Sequence, residues 1–334
     1  MISKNDTVKF YRMTAAGLFL LLFMIFLSLF IGNESTGTDE LLRALFSEGR
    51  KSVRMILFNV RLPRTVSGII CGMALSVSGL LLQTALDNPL CSPGVMGINS
   101  GAGFLVLISG IMFPYSSGIR EIFAFLGAII ATALIYIICK FAGFSKSVLV
   151  LTGVAVSSLF SAGSNALITI KPGAVSDKAA FSLGGLSGIS WNQILAALPA
   201  VVAGLVIVFL ESENLNLLCL GDESSAGLGV SPSRMRRMAL IVSAILSGAA
   251  VSVCGMLGFV GLIVPNLIKR VGNFGFKREF ILCSLVASGF LLACDIASRT
   301  LFYPYELPVG LVLSFLGAPF FIFILIKRKR SVTL

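Results

Sequence analysis

The chain contains no histidine, which removes imidazole as a metal or haem ligand and excludes any Ser-His-Asp or Cys-His mechanism. Charge is scarce as well. Only 12% of the 334 residues are Asp, Glu, Lys or Arg, where about 25% is usual in a soluble globular domain. The acidic residues number fifteen against 26 basic ones, so a clustered carboxylate site has little to draw on. The seven cysteines are scattered, mostly inside apolar stretches, and none forms a C-x-x-C pair, which fits small packing residues rather than a redox or metal centre. No glycine-rich phosphate loop stands between a strand and a helix, so the chain offers no site for a nucleotide. No stretch is both polar enough and long enough for a separate soluble domain.

What is present is hydrophobic. Apolar residues make up 56% of the chain and the mean hydropathy is +0.98, the composition of an all-α integral membrane protein whose residues 1–334 form one transmembrane domain. Candidate spans are 13–32, 64–84, 94–113, 121–141, 147–169, 191–210, 238–256, 257–271, 279–301 and 307–326. About ten helices follow. The eighth is short, carries Pro265 and adjoins the seventh, which demands a tight turn near Gly255–Gly258. The first follows Lys4, Lys9 and Arg12, but its apolar core exceeds a secretory signal's and Gly32-Asn33-Glu34 is a poor cleavage site, so it is expected to be retained. Small residues at helix-packing spacing, Gly68, Gly72 and Ser76, then Gly97 and Gly101, favour a compact bundle.

The net charge of +11 would suggest nucleic acid in a soluble protein, but the cations here sit in short segments between apolar runs, as membrane topology requires. With both termini cytoplasmic, sixteen of the 26 Lys and Arg fall on the inner side, including the anchor Lys327-Arg328-Lys329-Arg330.

Three stretches are too polar or too interrupted for lipid-facing helix. Arg61-Leu-Pro-Arg64 opens the second span, with Gln83 and Asn88-Pro89-Leu90 closing it. Asn88-Pro89 breaks the helix, and a broken polar segment at membrane depth must be buried in protein or line a wet cavity. The inner segment 211–237 carries Gly221-Asp-Glu-Ser-Ser and Gly229, then Ser231-Pro232 and Arg234-Met-Arg-Arg237, signals for two short helices on the membrane surface that would form a docking platform. The third runs from Gly258 to Arg270 and is followed by Asp295, Arg299 and Glu306-Leu-Pro-Val-Gly310. Asp295 and Arg299 are four residues apart, so they share a helix face and can pair.

These stretches stand in the order and spacing of one family. The chain resembles the FecCD-type permeases of bacterial ATP-binding-cassette importers, which carry iron–siderophore complexes, haem or cobalamin. The likeness rests on Arg61-Leu-Pro-Arg64, Gln83 to Leu90, Gly97 to Ala102, Gly258 to Pro265 and Glu306 to Gly310. It implies the type II permease fold with ten helices, a second permease subunit (an identical copy or a paralogue), and two cytoplasmic ATPases that use ATP and Mg while this chain binds no cofactor. It further implies a multi-pass location in the bacterial cell membrane and an extracellular or periplasmic binding protein that delivers the cargo. The resemblance assigns ATPase coupling to Glu223, Leu228 and Gly229, and docking of the binding protein's carboxylates to Arg61, Arg64 and Arg299. For each arginine the alternative is snorkelling to headgroups. Asn88, Pro89 and Pro265 match its structural turns, whereas Asn266 replaces a histidine common in the family. A largely uncharged pathway wall is expected to include Ser157, Ser158, Ser161 and Asn165. The competing reading is an ion-gradient-driven secondary transporter, but Asp295 is the only acidic residue well inside a span and already adjoins Arg299.

Overall fold

The computed structural model describes residues 4–31, 50–113, 117–171, 181–272 and 274–332. Among the described residues it is helical with no strand. The helices are α1 (Lys4–Phe30), α2 (Lys51–Leu86), α3 (Ile98–Met112), α4 (Ser117–Ala142), α5 (Lys146–Ile170) and α6 (Trp191–Leu210), followed by α7 (Ser212–Leu218), α8 (Asp222–Gly227), α9 (Pro232–Cys254), α10 (Val260–Val271), α11 (Phe276–Thr300) and α12 (Val309–Val332). Each expected span falls on one helix. Seven of them, α1, α2, α4, α5, α6, α9 and α11, are long and apolar enough to cross a membrane, while α3, α10 and the stretch Val309–Phe320 of α12 are shorter. Gly32–Glu34, read as a poor cleavage site, lies outside the described residues, as do the side chains of Lys327–Arg330.

One boundary expectation is corrected. Segment 211–237 does hold two short helices, but they are α7 and α8; Pro232 opens the long helix α9 itself, with the Ser231 hydroxyl accepting from the Arg234 N–H. Nothing between Ser233 and Cys254 breaks a helix, so a start signal at Ser231-Pro232 runs on into the membrane.

Helix α2 is the axis of the bundle and packs against α6, α9, α10 and α11, which bury nearly all of its Leu62–Leu86 portion. Such close packing needs missing side chains, since lipid gives helices no hydrophobic drive to associate. A Cβ at Gly79 would lie 1.8 Å from the Gly261 carbonyl oxygen, and one at Gly101 2.5 Å from that of Gly127, so α2 meets α10, and α3 meets α4, backbone to backbone. Gly72 likewise faces the backbone of Ala287 on α11.

At two of the prolines within helices, Pro63 and Pro265, the freed carbonyl finds a new donor. Ahead of Pro63, residues Leu57–Arg61 widen into a π turn in which the Leu62 N–H reaches back to Leu57 O. The partner of Phe58 O in that register would be Pro63, which has no N–H. The Nε1–H of Trp191, the chain's single tryptophan, donates to it at 2.9 Å. In α10, Pro265 frees the carbonyl of Gly261 four residues earlier, and Gln83 Nε2 donates to it at 3.1 Å. The expected turn between α9 and α10 occurs at Gly255, whose φ is +70°, and Phe259, whose φ of +68° sets the start of α10.

Candidate functional site

Side-chain contacts define two ends of the bundle. The amino-terminal end gathers the start of α1, the 87–97 turn, segment 211–237 and the α10–α11 junction; Phe10 packs on Phe274, Lys146 pairs with Asp87, and Arg236 reaches Phe144 O. The opposite end gathers Ser28 to Phe30, Arg61, Arg64, the start of α6 and residues 299–308.

At that opposite end the three candidate arginines come together. Arg64, just past the π turn, projects onto α11 and grips Asp295 with Nε at 3.0 and 3.1 Å and Nη2 at 2.9 Å. Its Nη1 donates to both oxygens of Glu306 at 3.2 Å. Arg299, one helical turn beyond Asp295, lies 3.5 Å from the same carboxylate, so the expected pair exists but Arg64 holds the better share of it. Arg299 Nη2 also donates to the Ser28 carbonyl and hydroxyl at 3.1 Å, and Arg61 Nη1 to the carbonyls of Leu29 and Phe30. Both therefore cap the last turn of α1, where a helix leaves carbonyls unpaired and favours cations. Arg61, Arg64 and Arg299 are only 5, 7 and 3% exposed, so none stands on an open surface of the single chain.

Arg64 and Glu306 nonetheless reach a cavity of about 520 Å³, whose other polar walls are Arg120, Glu121, Gln193 and the glycine-rich backbone of 184–188. Gln193 is fixed by a capping box with Ser190 and donates to Glu121 Oε1 at 2.6 Å. Glu121 Oε2 is buried there with no hydrogen-bond partner among the described residues.

At the amino-terminal end, α8 is clamped to α9 by Asp222, whose two oxygens each accept from Arg236 Nη2 at 2.6 Å. This hydrogen bond holds the Asp222 carboxyl below the usual carboxylate range, the guanidinium charge adding to it. With Ser225 and Val230 turned inward, Glu223, Leu228 and Gly229 are left exposed, Leu228 by 59%. Gly229 takes φ +86°, the left-handed conformation that ends α8.

The turn at Asn88 and Pro89 is tied to α10 beside Pro265 through Asn266. Asn88 Oδ1 accepts from the Leu90 N–H in a local turn, and Asn266 Nδ2 donates to Pro89 O at 2.8 Å and to Leu262 O at 2.7 Å. On α5, Ser157 shares a 2.8 Å hydrogen bond with Ser100, while Ser158, Ser161 and Asn165 are exposed along a face that no described helix covers.

Sequence reasoning assigned no role to Glu306, although it stood in a quoted motif. It also missed the Arg64–Asp295 and Asp222–Arg236 pairings, because each joins two different helices whose packing no spacing along the sequence shows.

The model of the FecCD transport family matches residues 20–327. The chain belongs to that family. It is 32% identical over 98% of its length to the Fe(3+)-citrate import system permease protein YfmD of Bacillus subtilis, of which 98% is covered. It is also 32% identical, over 98% of its length and 100% of the relative, to the iron(3+)-hydroxamate import system permease protein FhuG of the same organism. A solved inward-facing structure of a putative metal-chelate type ABC transporter superposes with a TM-score of 0.82 at 26% identity, covering 95% of this chain and 99% of that one. This chain is thus the transmembrane permease subunit of an ATP-binding-cassette importer with a type II permease fold. Such permeases work with a second permease subunit and with ATPases. The gradient-driven alternative finds no support among these relatives.

Proposed function

We propose that this permease passes a ferric chelate, of the citrate, hydroxamate or haem kind carried by its relatives, into the cytoplasm through a pathway formed with a second permease subunit. The observation that carries this reading is the separation of two equipped ends: a charged cavity at one and an exposed, rigidly mounted segment 221–230 at the other. The amino-terminal end is cytoplasmic, in keeping with its excess of Lys and Arg. There Glu223, Leu228 and Gly229 enter a groove of a separate ATPase, which alone binds ATP and Mg. Segment 211–237 acts as the coupling element within the single domain 1–334. The clamp of Asp222 on Arg236 makes a push on α8 a push on α9.

At the outer end a binding protein docks through carboxylates drawn to Arg61, Arg64 and Arg299. Three cations against Asp295 and Glu306 leave the cluster net positive, which favours an acidic partner. Arg64, which reaches the cavity, makes the direct contact by exchanging Glu306 for a partner carboxylate, while Arg61 and Arg299 supply field and hold α1. The exposed Ser158, Ser161 and Asn165, with Ser157 beside them, line the pathway at the second subunit; hydroxyls and amides bind a large polar cargo too weakly to trap it.

The test is reconstitution of the permease with its ATPase in proteoliposomes, supplied with binding protein loaded with ferric citrate, a ferric hydroxamate or hemin. ATP-dependent uptake of one of them is expected, and Arg64→Glu should lower binding-protein stimulation by ten-fold or more. Uptake that proceeds without ATPase and follows an ion gradient would sink the proposal.

A further inference from the structure

Between α4 and α9, away from both ends' machinery, runs a groove of about 360 Å³ whose walls are almost wholly apolar. Ile129, Ala133 and Ile137 line it from α4, and Ile241 and Ile245 from α9, with three of these isoleucines 40% exposed or more. Ile129 to Ile137 spans two helical turns, about 12 Å at 1.5 Å per residue, so the groove is an elongated slot along the membrane normal rather than a surface dimple.

Its amino-terminal end is basic. Lys140 follows Tyr136 by one helical turn, and Arg237 precedes Ile241 by one turn on the antiparallel helix, so both cations extend the groove's own faces in the same direction. Ring contacts fix this placement independently. Tyr136, in the groove wall, packs on Phe144 at 5.4 Å, and the Arg237 guanidinium lies 5.6 Å over that same Phe144 ring. Lys140 and Arg237 are both exposed and take part in no ion pair among the described residues.

We propose that this groove is a binding site for an anionic phospholipid, one acyl chain lying in the slot and the phosphate held by Lys140 and Arg237. An apolar slot between spanning helices that ends in two unpaired cations at the interface matches both halves of such a lipid: methylenes for the isoleucine walls, an anion for the basic end. A zwitterionic lipid would fill the slot equally well and gain far less at the basic end. A soluble anion would use the cations and leave the slot empty. Because Arg236, the neighbour of Arg237, holds Asp222 and the Phe144 carbonyl, the bound headgroup would sit beside the mounting of segment 221–230.

The experiment is native mass spectrometry of the assembled importer taken from nanodiscs containing equal phosphatidylglycerol and phosphatidylcholine with matched acyl chains. Wild type should retain phosphatidylglycerol at least five-fold over phosphatidylcholine, and K140Q/R237Q should fall to near parity. Should that variant fold poorly, Ala133→Phe fills the slot without touching the cations and should lower retention of both lipids. Equal retention of the two lipids by wild type, a preference unchanged in K140Q/R237Q, or retention unchanged in Ala133→Phe overturns the proposal. So does a photo-crosslinker in place of Ala133 that captures a neighbouring subunit instead of lipid.

Discussion

The Arg64–Asp295–Arg299 cluster turns on one carboxylate. Asp295 is fully buried and its one negative charge is shared between two buried guanidinium groups, so its loss leaves both of them without that counter-charge. Removing one partner of a buried ion pair costs about 3–5 kcal/mol, more than the pair itself is worth, because the uncompensated charge remains. Asp295→Asn should therefore lower the thermal melting point of the purified permease sharply. Adding Arg64→Gln should cost less than its effect alone, a coupling that a double-mutant cycle reads directly. Asp222 is a different case, since its carboxylate is about half exposed and its charge partner is local. Its pKa is depressed in the folded state by the Arg236 hydrogen bond, so its contribution is full above the ordinary carboxylate value of about 3.9 and is lost as pH falls below that toward the folded value. Hydrogen exchange across 222–230 should accelerate as pH is lowered through that window, after correction for intrinsic rates. Asp222→Asn should show the fast behaviour already at neutral pH.

Helix breaks and their repairs belong to the scale of elements. A sequence shows that Pro63 and Pro265 each release a backbone carbonyl; it does not show where the replacement donor comes from. Trp191 and Gln83 supply it, from 133 and 178 residues away in the chain. A buried carbonyl left without a donor costs about 1–3 kcal/mol. Gln83→Leu, which keeps the volume and removes the amide, should destabilise the permease by that amount, measured by thermal or chemical denaturation in detergent. Gly79→Ala should cost at least as much for another reason: its methyl would overlap the Gly261 carbonyl and force α2 and α10 apart. These expectations were only half legible beforehand. Each of the ten hydrophobic runs fell on a helix, because a span's length and apolarity are local properties. The glycines at Gly72 and Gly101 announced close packing, but not that α11 and α4 were the partners. Asn266 read as a lost titratable group; in the bundle its amide ties α10 to the 88–90 turn.

Across the whole molecule the family and its transport role were legible, because motif order survives in one dimension, whereas the state of the three arginines was not. The resemblance suggested a surface that meets a partner. The folded chain buries all three and binds two of them to the end of α1, since a helix end with unpaired carbonyls competes for cations as well as any partner does. The opposite end behaves otherwise. Glu223, Leu228 and Gly229 project from a segment whose own packing is completed by Ser225, Val230 and the Asp222–Arg236 clamp, so the exposed side chains of Glu223 and Leu228 contribute little to the fold. That difference separates stability from coupling. An exposed substitution away from caps and buried contacts usually changes stability by no more than about 0.5 kcal/mol. Leu228→Asp should accordingly leave the permease's melting temperature nearly unchanged while weakening co-purification of the ATPase and abolishing stimulation of hydrolysis by loaded binding protein. Asp295→Asn should do the reverse, lowering the melting temperature first and hydrolysis only in proportion to the folded permease that remains. Measuring both quantities for both variants places each end of the molecule in its role. A Leu228→Asp permease that melts early yet still supports full stimulation would show that segment 221–230 holds the bundle together rather than transmitting the ATPase's motion.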